Sequence, residues 1–195
     1  DQPRSRGLGD VYKRQPITMV SGPAASGKSR WAEHLAHSSG HPVVVLATGP
    51  DLPDDISWQQ RLERHRQRRP SSWRTLEVGG ALSPGLISLS PNELGLVDSL
   101  GTWVAAHLEL EGVAWLEEVD TLLNTIQRVP SPLVLVSEET GWGVVPMTVA
   151  GGRFRDRLGA LQQRLSPYCD GAWLVLQGRA INLAHLGLSV PPIEE

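Results

Sequence analysis

The sequence predicts an α/β fold: a three-layer sandwich in which helices cover both faces of a mostly parallel central sheet. Two observations support this prediction. Short, continuously apolar runs alternate along the chain with longer stretches of helical composition, and strands that are apolar at successive positions are typical of parallel sheets buried on both faces. Parallel neighbours also require crossover connections, which the helical stretches supply. Functional residues are then expected at the carboxyl ends of the strands.

Five runs are predicted to be strands and five stretches to be helices. The predicted strands are residues 17–20, 43–48, 94–98, 133–137 and 172–177. The predicted helices are residues 28–37, 58–66, 100–110, 114–128 and 148–165. The segment 79–95 contains several glycine, proline and serine residues, so it is predicted to be rich in loops.

Length and composition predict a single domain over residues 16–187. The chain has 195 residues, of which 40% are hydrophobic and 20% charged, as is typical of globular proteins. Residues 1–15 are polar and unpatterned, and their ending DVYKRQ matches a translated sequencing-library adapter, so we expect them not to belong to the fold. The alternative is a natural basic arm that binds an acidic partner. Residues 188–195 are predicted to form a C-terminal tail.

Composition and charge exclude several classes of protein. The single cysteine, Cys169, allows neither an intramolecular disulfide nor a cysteine-pair zinc module, so a reducing cytoplasm is the expected location. No apolar run approaches the roughly 18 residues of a membrane span. The formal charge is −3, and it becomes −5 when the four basic and two acidic residues of the first fifteen are removed. A general nucleic-acid-binding protein is therefore not expected.

A phosphate-binding loop follows the first predicted strand and precedes the first predicted helix. It has the pattern G-x-x-x-x-G-K-S and consists of Gly22, Pro23, Ala24, Ala25, Ser26, Gly27, Lys28 and Ser29. Glycines allow the amide groups to turn toward phosphate oxygens, Lys28 is expected to contact the β and γ phosphates, and Ser29 to bind Mg²⁺. Lys28 is also the single lysine of residues 16–195, which contain thirteen arginines. The fold is therefore predicted to be P-loop NTPase-like.

Asp98 ends an apolar run and is a candidate for metal binding. A buried strand would deliver its carboxylate beside the phosphate loop, where an acid is needed to hold Mg²⁺ or the water shell of the metal. The alternative is an N-cap of the following helix, supplied by Asp98 or Ser99. The two roles are compatible with each other.

One histidine, His65, lies in a run of five arginines that ends at Pro70. The arginines are Arg61, Arg64, Arg66, Arg68 and Arg69. One interpretation is a solvated basic face or an RNA-binding patch. The other is a nucleophile: neighbouring cations favour the neutral imidazole, whose lone pair attacks phosphorus to give a phosphohistidine or nucleotidyl-histidine. Arginines would then stabilise the charge of the transition state.

Five motifs in a fixed order resemble those of a known enzyme family. They are Gly22–Glu33, Arg61-Leu-x-x-His65 followed by Arg69-Pro70-x-x-Trp73-Arg74-Thr75-x-Glu77, Leu96-Val-Asp98 running into Trp103, Ser137-Glu-Glu139-x-Gly141-x-Gly143-Val-Val-Pro146, and Arg153-Phe154-Arg155-Asp156-x-x-Gly159. Together they resemble the bifunctional adenosylcobinamide kinase and adenosylcobinamide-phosphate guanylyltransferase family of cobalamin biosynthesis. The resemblance runs from about Thr18 to Leu183, and the ordered set is more specific than the phosphate loop alone.

The resemblance implies an enzyme with two steps. A nucleoside triphosphate, ATP or GTP, phosphorylates the aminopropanol hydroxyl of adenosylcobinamide. GTP then guanylylates a histidine that corresponds to His65, and the phosphorylated corrinoid takes up the GMP group to give adenosylcobinamide-GDP. The family also implies a homo-oligomer, usually a trimer. Beyond the phosphate loop, the expected nucleotide-binding residues are Thr48, Glu77 and Asp98.

The chain departs from the family pattern at four places that bear on nucleotide preference and corrinoid contacts. Ala25 replaces a frequent arginine, Ser57 an acidic residue, Glu138 a common asparagine, and Met147 with its neighbour Thr148 a usual Glu-Asn pair. Two other classes of protein are alternatives. One is a P-loop GTP hydrolase that acts as a switch, and the other is a non-catalytic nucleotide- or RNA-binding module.

Overall fold

The computed structural model describes residues 15–143 and 146–191. The strands in this part of the chain are β1 (Ile17–Gly22), β2 (Val43–Ala47), β3 (Arg74–Glu77), β4 (Leu94–Asp98), β5 (Leu133–Glu138), β6 (Gly171–Leu176) and β7 (Arg179–Asn182). The helices are α1 (Lys28–Ser38), α2 (Ile56–Arg68), α3 (Leu82–Ile87), α4 (Leu100–Ala106), α5 (Gly112–Arg128), α6 (Val149–Leu165) and α7 (Leu183–Leu186), with a short 3₁₀ helix at Ser166–Tyr168. Of the two predicted end segments, residues 1–14 and 192–195 lie outside the described residues.

The seven described strands form one sheet in the order β3-β2-β4-β5-β1-β6-β7. Every neighbouring pair is parallel except the last, in which β7 runs antiparallel to β6. The predicted mostly parallel sheet is confirmed. No helix in the described residues is both long and apolar enough to span a membrane.

Alternate residues of each central strand contribute to two separate hydrophobic clusters, one on each face of the sheet. On one face, Val44 and Leu46 of β2 belong to the cluster that includes Trp103 of α4 and residues of α3, α5 and α6. On the other face, Val43 and Val45 belong to the cluster that includes Ala32 and Ala36 of α1. Helices therefore cover both faces, which is why the central strands are apolar at successive positions.

The structure corrects the prediction for segment 79–95, which contains the six-residue helix α3. Its buried residues Leu82 and Leu86 pack into the core, whereas Pro84 and Gly85 had suggested a loop. Strand β3 was not predicted because it is the edge strand and three of its four residues are exposed. Strand β6 was predicted, as residues 172–177, but β7 was not. Gln177 and Gly178, which join the two strands in a hairpin, both have the positive φ that such turns require.

Helix α4 ends at Ala106, four residues before the predicted end. The guanidinium group of Arg157, on α6, donates hydrogen bonds to the backbone oxygens of His107 at 3.1 Å, Leu108 at 3.0 Å and Leu110. These bonds satisfy carbonyl groups that a continued helix would have paired internally. An early stop of this kind depends on a residue about 50 positions away, so the local sequence gives little sign of it.

Candidate functional site

The phosphate loop joins the carboxyl end of β1 to the first residue of α1. A Cβ atom at Gly22 would lie 2.4 Å from the backbone oxygen of Val175, so this position accepts only glycine without a shift of the backbone. Gly27 has a φ of +98° and immediately precedes the helix, a conformation that glycine adopts at little cost. Residues 24–30, from the loop and the start of α1, line a single pocket, as phosphate binding at a helix N-terminus requires.

Lys28 is the first residue of α1 and is only 6% exposed. Its Nζ atom donates a hydrogen bond to the backbone oxygen of Pro23 at 3.3 Å, across the loop. Burial lowers the pKa of Lys28, the negative charge of Glu138 raises it, and the net pKa lies below the ordinary value. The ammonium group therefore lies at the loop with an acidic neighbour nearby, where it would meet phosphate oxygens.

Two pockets adjoin each other at the carboxyl ends of the strands. The P-loop pocket has a volume of about 470 Å³ and is lined by residues 24–30, Arg61, Arg64, His65, Arg68 and Glu138. The second, which we call the β2–β4 pocket, has a volume of about 520 Å³, and its lining includes Ala47, Glu77 and Asp98 at the ends of β2, β3 and β4. His65 and Arg61 line both pockets. The histidine therefore stands where the two spaces meet.

None of the residues of helix α2, which carries His65, is fully buried, so polar contacts at its two ends help to hold it. At its start, Asp55 accepts a hydrogen bond from the backbone nitrogen of Trp58 at 2.9 Å, and this bond lowers the pKa of the Asp55 carboxyl. The Trp58 ring donates to the backbone oxygen of Pro50 at 2.9 Å and packs so closely on Gly49 that a Cβ there would lie 2.7 Å from it. These contacts tie the helix to the loop that follows β2.

His65, Asp98 and Arg69 form a largely buried group at the centre of the site. The Nδ1 atom of His65 lies 3.2 Å from Oδ2 of Asp98, and Nη2 of Arg69 lies 2.5 Å from the same oxygen. The three side chains are 17%, 18% and 9% exposed. Burial by itself raises the pKa of Asp98, but the hydrogen bond from His65 and the charge of Arg69 outweigh it, so the net pKa is below the ordinary value.

The ionised Asp98 fixes the tautomer of His65. A carboxylate only accepts hydrogen bonds, so Nδ1 of the imidazole must carry the hydrogen that points at it. In the neutral ring the lone pair then resides on Nε2. The sequence indicated only the neighbouring arginines, and the structure adds a carboxylate that contacts the imidazole directly.

The arginines near His65 have two kinds of environment, ion pairs with acids and the lining of the P-loop pocket, and Arg68 has both. Arg69 and Arg66 form ion pairs with acids: Arg69 with Asp98, and Arg66 with Glu77 at 3.4 Å. Arg61, Arg64 and Arg68 line the P-loop pocket. Of these, Arg68 also pairs with Glu33 of α1 at 3.1 Å, which fastens the end of α2 to the helix that starts at the phosphate loop.

Of the remaining predicted nucleotide-binding residues, Glu77 lines the β2–β4 pocket, whereas Thr48 is buried and lines neither pocket. Glu77 lines that pocket, and its side chain is 60% exposed. Thr48 is 1% exposed, and its hydroxyl contacts the backbone oxygen of Ser99 at 2.6 Å and the backbone nitrogen of Ser99 at 2.8 Å. Ser99 is the N-cap of α4, so the N-cap that was an alternative role for Asp98 belongs to its neighbour.

Glu138 belongs to the site although the sequence analysis noted it only as a departure. Its Oε1 atom accepts a hydrogen bond from the Ser99 hydroxyl at 2.7 Å, and its Oε2 atom accepts one from the backbone nitrogen of Gly101 at 3.0 Å. A Cβ at Gly101 would lie 2.1 Å from Oε2. The signal in the sequence was the position of Glu138 at the end of a buried strand.

The described residues contain no cluster of three or more histidine, cysteine, aspartate or glutamate side chains suited to a metal ion. The P-loop pocket instead offers the Ser29 hydroxyl and one carboxylate, that of Glu138. Magnesium that arrives with a nucleotide takes its other ligands from phosphates and water. The donor set of this pocket therefore fits such an ion.

Two solved structures show a similar fold. An ATPase from the type III secretion system of pathogenic bacteria superposes with a TM-score of 0.55 at 10% identity, covering 90% of this chain and 60% of that one. A Pyrococcus horikoshii OT3 protein, studied as PH0250, gives a TM-score of 0.53 at 10% identity, covering 87% and 85%. At these identities the likeness concerns the fold alone, and it agrees with the predicted P-loop NTPase-like architecture.

Sequence comparison identifies the family. The bifunctional adenosylcobalamin biosynthesis protein CobU of Escherichia coli K12 is 34% identical and covers 86% of this chain and 99% of its own length. The corresponding protein CobP of Pseudomonas aeruginosa is 38% identical and covers 85% and 95%. The family model for cobinamide kinase / cobinamide phosphate guanyltransferase matches residues 18–183. The chain belongs to the cobinamide kinase / cobinamide phosphate guanyltransferase family.

Proposed function

We propose that this protein phosphorylates adenosylcobinamide with a nucleoside triphosphate and then transfers GMP from GTP to the product through a guanylyl group on His65. The product is adenosylcobinamide-GDP. The observation that carries the proposal is that His65 lines both pockets while Asp98 fixes its tautomer. Family membership supports the two activities.

In the proposed transfer, Nε2 of His65 attacks the α-phosphorus of GTP. A nitrogen–phosphorus bond forms, the bond from that phosphorus to the oxygen bridging to the β-phosphate breaks, and pyrophosphate leaves with the electron pair. The ring keeps its hydrogen on Nδ1 and becomes positively charged, and the Asp98 carboxylate at 3.2 Å stabilises that charge. The phosphate group of the phosphorylated corrinoid then attacks the same phosphorus and releases the histidine.

In the proposed phosphorylation, the loop amides and Lys28 bind the triphosphate. Lys28 and the arginines of the P-loop pocket would stabilise the charge that develops on the transferred phosphoryl group. Ser29 and a carboxylate of the site would hold Mg²⁺, which neutralises charge on the phosphates when it is bound. ATP and GTP are both candidates for this step.

Incubation with α-labelled GTP and Mg²⁺, followed by denaturation, tests the proposal. We expect label that stays on the protein, resists alkali, is lost in acid and is absent from the His65→Ala variant. The His37→Ala variant, which removes an exposed histidine of α1, is the matched control and should keep the label. In a parallel sample, addition of adenosylcobinamide and ATP before denaturation should move the label into a GDP-linked corrinoid.

Other outcomes of the same experiment favour the alternative functions. Release of labelled GDP without protein-bound label would favour a GTP hydrolase. Absence of covalent label together with salt-sensitive binding of RNA would favour a nucleic-acid-binding module. Either result contradicts the proposed role of His65.

A further inference from the structure

Five arginines flank His65 in the sequence, and Arg61 differs from the other four in its contacts. The three that follow the histidine each form an ion pair with an acid. Arg64 donates a hydrogen bond from its Nε atom to the backbone oxygen of Gln60, on its own helix, at 3.1 Å. Within the described residues Arg61 has neither kind of contact, so its N–H donors are available to a ligand.

Arg61 shares one face of α2 with His65. The two residues are four positions apart on the helix, which places their Cβ atoms about 5–6 Å from each other. Both line the P-loop pocket and the β2–β4 pocket, and Arg61 is the one of the five arginines that does so in the described chain. A guanidinium group at this position can therefore reach a phosphate group that binds beside the imidazole.

The ring of Trp58 supports the side chain of Arg61. The Cζ atom of Arg61 lies 5.7 Å from the centre of this ring, within the range of a cation–π interaction. Trp58 is itself fixed, because its ring nitrogen donates a hydrogen bond to the backbone oxygen of Pro50 at 2.9 Å. A guanidinium group has five N–H donors, so this contact orients the side chain and leaves donors for a phosphate.

The charge of Arg61 acts on both sides of the site. It lowers the pKa of Lys28 in the phosphate loop and also that of Asp98 at the end of β4. The two cations, Arg61 and Lys28, repel each other, and an anion bound between them removes this cost. A triphosphate is such an anion. Lys28 is expected at its β and γ phosphates, so the cation beside His65 is placed for the α-phosphate.

We propose that Arg61 is a catalytic residue of the guanylyl transfer, in which its guanidinium group binds the non-bridging oxygens of the α-phosphate that His65 attacks. The nitrogen–phosphorus bond forms while the bond to the bridging oxygen breaks and pyrophosphate leaves with the electron pair. Two N–H groups of Arg61 donate to the oxygens on which charge increases, and Arg61 neither gains nor loses a proton. The inference rests on the guanylyl group that the proposed function places on His65.

Rapid-quench labelling tests the proposal. With α-labelled GTP at saturating concentration and Mg²⁺, the experiment measures the single-turnover rate at which His65 takes up label. Arg61→Ala should lower this rate by about 100- to 1,000-fold, as loss of a transition-state donor does. Arg61→Lys keeps the charge but not the paired donors, so its rate should be intermediate. GTP affinity, measured by calorimetry in a His65→Ala background, should fall much less than the rate, because the contact strengthens in the transition state.

Chemical rescue separates a catalytic role from a structural one. Guanidinium ions at low millimolar concentration should restore part of the labelling rate of Arg61→Ala, because they supply the missing charge and donors. Urea at the same concentration has a similar planar shape but no charge, and it should restore nothing. A side chain that only stabilised α2 would not be replaced by a small ion in solution.

Two control variants should keep the wild-type labelling rate. Arg179→Ala removes an exposed arginine of β7. Gln67→Ala changes an exposed residue of α2 that lines neither pocket. Together they show whether loss of a positive charge, or a change in this helix, lowers the rate by itself.

The outcomes distinguish the inference from the proposed function. Normal labelling of the wild type together with normal labelling of Arg61→Ala would overturn the inference alone. A slow Arg61→Ala variant that guanidinium does not restore, with an equal loss of GTP affinity, would assign Arg61 to ground-state binding and also overturn the inference. Absence of label on the wild type would overturn the proposed function, and the role of Arg61 in the transfer with it.

Discussion

The two pockets of the site differ in how the chain builds them. The P-loop pocket takes most of its lining from one continuous segment, residues 24–30. The β2–β4 pocket collects its lining from the ends of three strands and from α2, between Ala47 and Thr102. A site made from one segment has a recognisable motif, whereas a site made from several segments depends on the sheet order. The predictions below test this difference, from the largest expected effect to the smallest.

Replacement of the loop lysine should have the largest effect on phosphoryl transfer. Lys28→Ala removes the ammonium group of the loop, and the rate of adenosylcobinamide phosphorylation should fall by about 100- to 1,000-fold, as with other transition-state donors. Steady-state kinetics with ATP and with GTP measure it. Arg128→Ala, a charge removal at the end of α5, should retain the wild-type rate. Full turnover in Lys28→Ala would show that the loop does not bind the reacting phosphates.

Loss of the largely buried ion pair between Arg69 and Asp98 in the β2–β4 pocket should have the largest effect on stability. Arg69→Met leaves Asp98 in a largely buried place without its cation, and the free energy of unfolding should fall by about 3–5 kcal/mol. Arg74→Met is the matched control because it breaks a more exposed pair with Glu93, which should cost less than about 1 kcal/mol. Urea denaturation compares them. Equal losses would mean that burial does not strengthen the Arg69 contact.

A methyl group at Gly101 tests the hydrogen bond from the Gly101 backbone nitrogen to Glu138, which joins the start of α4 to the end of β5. In Gly101→Ala the Cβ would lie 2.1 Å from Oε2 of Glu138, so the carboxylate or the start of α4 must move, at a cost of about 1–3 kcal/mol. Gly159→Ala in α6 meets nothing within 4 Å and should instead stabilise the helix by up to about 1 kcal/mol. Thermal unfolding measures both. A stable Gly101→Ala variant would mean that Glu138 is not held by this amide.

The pH dependence of stability tests the pKa of Asp98 and has the smallest expected effect. The folded protein holds this pKa below its ordinary value. The contribution of Asp98 to stability is therefore complete above the unfolded-chain value of about 4 and is lost as the pH falls through the folded value. The difference in unfolding free energy between wild type and Asp98→Asn should become smaller as the pH is lowered from about 6 through the unfolded-chain value of about 4. A difference that is independent of pH would contradict the lowered pKa.

Local sequence predicted the elements whose apolar residues repeat at successive positions or at helical spacing. The central strands were found this way, and so was the helix after the phosphate loop. Elements that depend on distant partners were not found: β3 is an exposed edge strand, α3 is short and contains Pro84, and α4 ends where Arg157 reaches its carbonyl groups. In each case the decisive contact involves a residue far away in the chain.

The same division holds in the candidate site. The phosphate loop and His65 were visible as motifs, and the family resemblance that they suggested is confirmed. The partner of His65 was not visible, because Asp98 is 33 residues away. Glu138 was noted but given no role, since its nearness to the loop depends on β5 lying beside β1.

The phosphate-loop motif, the layered α/β architecture and the family of this protein could be identified from the amino-acid sequence alone, because contiguous or regularly spaced residues carry each of them. Only the tertiary structure decided which acid serves the histidine and which one lies at the loop. Asp98 and Glu138 both end buried strands and look alike in sequence. The order β4-β5-β1 separates them, since β5 ends beside Gly22 of the loop and β4 ends beside His65 of α2.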